Sequence, residues 1–293
     1  MPSFWKSNRN WLTPVLLLAP GLILFFVVII LSSIETFWIS LHSWDGFGAK
    51  VWVGLDNYKE LLDDPQFYVS LRNNIIWIVM FLSSLPLGLA IALLLNQKIR
   101  GMRLAKSLFF MPLVLSTVTV GVIFGWFYDP TYGLLALIFH SFGAANVPAL
   151  LSDDFWVTPA IVLAALWPQV AFCMVLFLAG LNNLDEEQIN AGRIDGAKGL
   201  NMLRFIVIPQ LKQISFIALA ITIIGALRSF DIIAVMTSGG PFGSSTVLAY
   251  QMYEQSLFSY RFGYGAAIAT VLFLIMSVFI VWYLRGLVKA EEK

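Results

Sequence analysis

The feature that most limits what this chain can fold into is a set of six apolar runs, each long enough to cross a bilayer. A hydrocarbon core about 30 Å thick is crossed by about 20 helical residues. Runs of that length, bounded by charge or turn residues, extend from Trp11 to Ser40, Asn73 to Asn96, Leu108 to Tyr128, Thr158 to Leu181, Ile214 to Thr237 and Gly263 to Leu284. Only 12% of the 293 residues are charged and 59% are hydrophobic, against about 25% charged in an ordinary soluble domain. The expected fold is an all-α membrane protein with six transmembrane helices, divided into a tail over residues 1–10, one transmembrane domain over 11–285 and a tail over 286–293. The first run exceeds the roughly 7–15 residues of a secretory h-region and continues into bulky Ile34, Phe37 and Trp38, so it reads as a retained helix.

Orientation follows from Lys and Arg, which resist translocation. One set of connections carries thirteen of the eighteen: Lys6, Arg9, Lys98, Arg100, Arg103, Lys106, Arg193, Lys198, Arg204, Lys212, Arg285, Lys289 and Lys293. The other set carries Lys50, Lys59, Arg72 and Arg261, and Arg228 falls inside a run. Both termini are therefore expected in the cytoplasm. The opposite side is acidic, with Asp45, Asp56, Glu60, Asp129 and Asp153 among its charges, and its Trp and Tyr residues read as an interfacial belt. A net charge of +1 offers no basic patch for nucleic acid. One cysteine, Cys173, leaves no internal disulfide and reads as a packing residue.

The connection from Asn182 to Gln213 is far longer than the 2–8 residues of an ordinary helix-to-helix turn. Asp185 stands three residues before Gln188, as in a capping box, and opens an amphipathic helix with Leu184, Gln188 and Ala191 on one stripe. Gly196 and Gly199 interrupt it, Asn201 offers a cap for a second short helix, and Pro209 is expected to hold Ile208 extended. A helix-turn-helix knob on the cytoplasmic side is the expected product.

That loop resembles the cytoplasmic signature of binding-protein-dependent ABC-transporter permeases. Glu187 precedes Asn190-Ala191-Gly192, where the signature has Glu-Ala-Ala; Asp195-Gly196-Ala197 follows, and Ile206-Val207-Ile208-Pro209 closes it. Asn190 stands where the family has an acid and Gly192 where it has alanine. Further segments are similar to the carbohydrate-type branch: Gly54-Leu55-Asp56-Asn57-Tyr58, Gly101-Met102-Arg103, Trp126-Phe127-Tyr128-Asp129-Pro130 with Gly133-Leu134-Leu135, Ala179-Gly180-Leu181, Phe230-Asp231 and Gly239-Gly240-Pro241. The resemblance spans roughly Trp11 to Gly286. It implies a subunit of an importer in the bacterial inner membrane, working beside a second homologous permease, two ATPase subunits gripping the loop, and an extracytoplasmic solute-binding protein. ATP and Mg would then sit on the partner subunits, with no cofactor in this chain. It also implies an outer gate, or a binding-protein contact, at Gly239, Gly240 and Pro241.

An ionisable group in hydrocarbon costs at least about 2.5–3.5 kcal/mol and needs an explanation. Arg228 and Asp231 are three apart on the fifth helix, which places them on one face at ion-pairing distance. A structural lock and a lining of the translocation path, with Phe230 as a stacking platform, both fit. Glu35 lies near the outer end of the first helix. Pro14, Pro20, Pro86, Pro112 and Pro168 are expected to kink their helices. The chain lacks a Gly-x-x-x-x-Gly-Lys-Ser/Thr phosphate loop, so energy must come from elsewhere. A membrane enzyme is disfavoured because His42 and His140 stand alone, and a secondary transporter because no inverted repeat is visible.

Overall fold

A computed structural model describes residues 3–97, 99–144 and 146–291, with side chains from Pro14 to Gly286. The charges of Lys6, Arg9, Lys98, Lys289 and Lys293 lie outside those described side chains. The chain divides into two compact units, one of residues 1–63 with 252–271, the other of 64–251 with 272–293.

The first unit opens with α1 (Ser3–Phe25), a π-helical turn at Phe26–Leu31 and α2 (Ser32–Ile39). From Pro14 to Ile39 this is a 26-residue apolar span of hydropathy 3.0, and Pro14 and Pro20 do not interrupt the helix. A two-stranded hairpin follows, β1 (His42–Ser43) antiparallel to β2 (Val51–Trp52), with His42 opposite Trp52. The imidazole of His42 lies 4.9 Å from the Trp38 ring and 5.1 Å from that of Trp52. Asn57 on α3 (Asp56–Asp63) donates to the carbonyls of Ser40 and His42, and Arg261 meets Glu60 through two hydrogen bonds. Glu35 is 3.5 Å from Lys50, which gives that exposed acid a partner.

In the second unit α4 (Pro65–Leu82) and α5 (Ser84–Leu95) make one span of 31 residues. Then come α6 (Met102–Val114), α7 (Thr117–Phe127), α8 (Leu134–Ser141) and the 25-residue α9 (Val157–Leu181). The loop after α9 holds α10 (Glu186–Ile194), α11 (Leu200–Met202), a π turn at Leu203–Val207 and α12 (Ile208–Gln210). It leads to α13 (Lys212–Leu227), α14 (Asp231–Met236) and α15 (Leu248–Tyr253). The last helix, α16 (Phe262–Glu291), has residues in both units.

Among the described residues, four helices are long and apolar enough to cross a membrane, or up to six if each of two bent pairs is one span. The third expected span is a bent pair, with its bend near Pro112. Met102–Val114 and Thr117–Phe127 meet at 99°, and Leu200–Gln210 meets Lys212–Leu227 at 72°. The first bend follows Pro112 and passes through Leu115 in an extended conformation. Ser116 restarts the helix by accepting the Thr119 N–H.

The core of this unit lies where α5 crosses α9, with Ala92, Leu95, Cys173, Met174 and Phe177 buried together. Without an aqueous driving force, helices in lipid pack by close approach over small residues. Gly88 permits it, since a Cβ there would sit 2.6 Å from the Cys173 Cβ and 2.8 Å from the Met174 nitrogen. Cys173 is fully buried, as expected of a packing residue, with its Sγ 3.3 Å from Ser84 Oγ.

Candidate functional site

Two interruptions of spanning helices open on the same cavity, of about 370 Å³. One is the α6–α7 bend, which contributes Leu115 and Thr117. The other is the break between α13 and α14, which contributes Arg228, Ser229, Phe230 and Asp231. Trp77 and Phe81 of α4 and Pro168, Gln169 and Phe172 of α9 complete much of the wall. Irregular backbone at membrane depth persists only where protein or a polar cavity satisfies it, so the coincidence of breaks and cavity has a physical cause.

The structure corrects the expected geometry of Arg228 and Asp231. α13 ends at Leu227, Phe230 has left helical conformation at φ −141° and ψ −58°, and α14 begins at Asp231. The three-residue spacing therefore no longer sets the two groups on one helical face. Both are exposed and no ion pair joins them. The lock between helices is not formed; both residues line the cavity instead. Phe230 also stacks on Tyr250, with centroids 5.9 Å apart and planes at 28°.

Sequence reasoning missed Gln169 and Thr222, because it searched the spans for ionisable groups only. Gln169 Nε2 donates to Thr222 Oγ1 at 2.9 Å. Thr222 is fully buried and Gln169 is on the cavity wall. The hydroxyl thus fixes an amide that has acceptor capacity left over.

In the loop between α9 and α13, Asp185 accepts the Glu187 N–H at 2.8 Å and the Gln188 side chain at 3.1 Å. That starts α10 as expected. The end of α10 explains Asp195-Gly196-Ala197. Gly196 takes φ +84°, the Ala197 N–H reaches the Gly192 carbonyl, and the Gly196 N–H reaches that of Arg193. This is a Schellman motif, in which glycine supplies the left-handed residue at no steric cost. Glu187, Asn190, Ala191, Asp195, Gly196 and Pro209 are exposed, and Ala197 is half-buried.

Three details of this loop differ from expectation. Gln188 and Ala191 are exposed, and the inward side of α10 is Ile189 and Gly192. A Cβ on Gly192 would lie 2.0 Å from the Cδ1 of Ile206, so the glycine makes room for an isoleucine. Asn201 caps nothing, because α11 starts at Leu200 after Gly199. Ile208 is helical at φ −60° and ψ −42° rather than extended, and Pro209 follows it near the end of the Leu200–Gln210 helix.

Gly239, Gly240 and Pro241 form a folded loop rather than a plain turn. Gly239 has φ +80° and a Cβ there would be 2.7 Å from the Tyr250 ring. The Gly240–Pro241 peptide is cis. Ser245 Oγ donates to the Gly240 carbonyl at 2.7 Å, and residues 245–251 are all buried. Gly133 in the other quoted segment is required sterically, as its Cβ would meet the carbonyls of Trp126 and Asp129 at 2.5 Å. The Asp129 carboxyl accepts the amides of Tyr132 and Thr131, which hold it below the ordinary carboxylate range.

Residues 84–290 match the family described as binding-protein-dependent transport system inner membrane component. The chain belongs to that family of multi-pass membrane permeases. It is 36% identical to a probable ABC transporter permease protein of Pyrococcus horikoshii, covering 95% of this chain and 97% of the relative. It is 34% identical to the trehalose/maltose transport system permease protein MalF of Thermococcus litoralis, covering 92% of each. The alpha-glucoside transport system permease protein AglF of Rhizobium meliloti is 34% identical over 94% of this chain and 83% of its own length. The fold is shared with a bacterial ABC transporter involved in the import of alginate, at a TM-score of 0.83, 20% identity and 97% coverage of both chains.

Proposed function

We propose that this chain is a conducting subunit of an ABC importer for a sugar or sugar-like solute. The single observation that carries the reading is the cavity at which two broken spans meet. It combines aromatic faces (Trp77, Phe81, Phe172, Phe230) with Gln169, Ser229, Arg228 and Asp231, which suits a solute with hydroxyls on its edges and C–H groups on its faces. Relatives named for trehalose/maltose and alpha-glucoside transport support the solute class.

In this reading α6 with α7 makes one span and α13 with α14 another, giving six, and the Lys and Arg bias sets both termini in the cytoplasm of a bacterial cell. The 182–213 loop then faces the cytoplasm. There Glu187, Asn190, Ala191 and Gly196 form an exposed surface for an ATPase subunit, while Asp195, Gly196 and Ala197 hold its shape. Two ATPases carry ATP and Mg, a second permease completes the pathway, and an extracytoplasmic binding protein delivers solute. ATP binding shifts the population between inward-open and outward-open states. Arg228, Phe230 and Asp231 line the route, and Gly239–Pro241 lies at its outer end.

Gly225 gives a direct test. It is on the cavity wall, yet a Cβ there meets nothing within 4 Å. Gly225→Trp should fill the cavity without disturbing packing. In proteoliposomes holding the whole complex, uptake of labelled maltose, trehalose or alpha-glucosides should fall about tenfold or more, the loss expected when a route is sterically closed. Undiminished uptake would remove the cavity from the pathway.

A further inference from the structure

The connection between α5 and α6 carries charge of one sign only. Lys98, Arg100, Arg103 and Lys106 follow one another there, and no Asp or Glu occurs anywhere from 65 to 128. The 182–213 loop is different, since its Arg193, Lys198, Arg204 and Lys212 are matched by Asp185, Glu186, Glu187 and Asp195. A preference of Lys and Arg for one side of the membrane accounts for basic residues in such a connection. It does not account for their standing without counter-charge.

Among the described residues, no ion pair joins Arg100, Arg103 or Lys106 to an acid. Arg100 and Arg103 are exposed and Lys106 is half-buried. Local geometry makes the excess less favourable still. Arg103 and Lys106 are three apart on α6, where like charges on one face repel. They also stand near the start of that helix, at the positive end of its macrodipole, and its first turn holds no acid. An anion from outside the chain would relieve each of these repulsions.

The apolar residues interleaved with the cations indicate which anion. Ile99, Leu104 and Leu108 are each more than half exposed, while Met102 and Ala105 turn inward onto the packed core of α5 and α9. The outward side of this segment therefore mixes guanidinium groups with large apolar side chains at the edge of a span. A free phosphate offers nothing to Ile99, Leu104 and Leu108. A phospholipid with an anionic headgroup supplies phosphate oxygens for the arginines and acyl chain for the apolar side chains. We infer that Arg100, Arg103 and Lys106 bind an anionic phospholipid of the inner leaflet, with the two arginines on its phosphate. The leaflet rests on the orientation proposed above, and the solute plays no part.

The test measures, by native mass spectrometry of the purified full chain from mixed micelles, how far phosphatidylglycerol is retained over phosphatidylcholine of the same acyl chains. One Lys or Arg near an anionic lipid surface contributes about fivefold in affinity. Arg100→Gln with Arg103→Gln should therefore lower the preference about tenfold or more. Arg100→Lys with Arg103→Lys keeps the charge and should stay within about threefold of wild type. Lys50→Gln with Lys59→Gln removes as much charge from cations that already have carboxylate partners, and should change nothing. An equal fall in that control would reduce the effect to net charge, and an unchanged preference in the arginine-to-glutamine variant would remove the site; either overturns the inference. If that variant does not fold, the wild type decides. In the complete complex, amide exchange of residues 99–106 should slow about threefold or more in nanodiscs containing phosphatidylglycerol relative to phosphatidylcholine alone, and added salt should reverse it. Exchange indifferent to the lipid, or equally slowed by inorganic phosphate or by the ATPase subunits in phosphatidylcholine, assigns the patch elsewhere and overturns the inference as well. None of these readouts involves sugar uptake, so their failure leaves the importer reading standing.

Discussion

The segments 182–213 and 237–251 are both loops at the ends of spanning helices, and they hold their shapes by opposite means. In the first, the exposed knob is made by local backbone chemistry. Asp185 caps α10, Gly196 ends it, and the contact that seats it is apolar, between Gly192 and Ile206. In the second, residues 245–251 are buried, and local bonds from Ser244, Ser245 and Thr246 are joined by side chains more than 80 residues away. The exposed α10 is held by groups within its own loop. A part that belongs to the wall of the protein takes its conformation from that wall.

The contrast is broken or sharpened by substitution. The largest effect is expected at Gly239. A Cβ there meets the Tyr250 ring and Thr246 Oγ1 within 2.8 Å at a left-handed backbone, so strain of about 1–2 kcal/mol adds to overpacking of about 1–3. Gly239→Ala should therefore lose about 2–5 kcal/mol. Gly196 has nearly the same φ but nothing within 4 Å, so Gly196→Ala should lose only the strain, about 1–2 kcal/mol. Thermal or denaturant unfolding of the purified protein in detergent compares the two. Equal losses would mean that the wall does not hold the 237–251 loop.

A smaller and local effect is expected at Asp185. Removing the cap costs about 0.5–2 kcal/mol, and since α10 is exposed the loss should appear as faster amide exchange in residues 187–189 and leave α9 unaffected. Exchange rising equally in α9 would show that the knob does not stand alone. Smallest of all is Gly192→Ala. The atom met is the far end of a flexible side chain, and alanine gains up to about 1 kcal/mol of helix propensity over glycine. The net change should be under about 1 kcal/mol, and Ile206→Ala should couple favourably with it by about 0.5 kcal/mol or more in a double-mutant cycle. Strict additivity would place the two side chains apart.

Much of this was legible before any coordinates. Apolar run length located the long apolar helices: Val157–Leu181 differs by one residue at its start from the expected Thr158–Leu181, whereas the second begins at Pro65 rather than Asn73. The Asp185 cap and the Gly196 stop were readable too, because capping chemistry involves atoms a few residues apart. The Arg228–Asp231 pair was misread for the same reason that made the other readings work: spacing implies a shared face only while the helix continues, and hydropathy does not report a three-residue break inside an apolar run. Gln169 and Thr222 were overlooked because uncharged polar residues are common in membrane helices, and 53 residues separate the two partners.

By itself, then, the sequence determined what depends on neighbours along the chain: the approximate number and place of the apolar helices, the capped and glycine-terminated knob, and the family. Only the tertiary structure decided where two spans bend, that Leu115 and Arg228–Asp231 share one cavity, and that Asn73 holds carbonyls 171 and 173 residues away. The physical reason is satisfaction of polar groups in a medium without water. Each broken helix and buried amide must find its partner wherever the fold brings one, and no local pattern encodes that address.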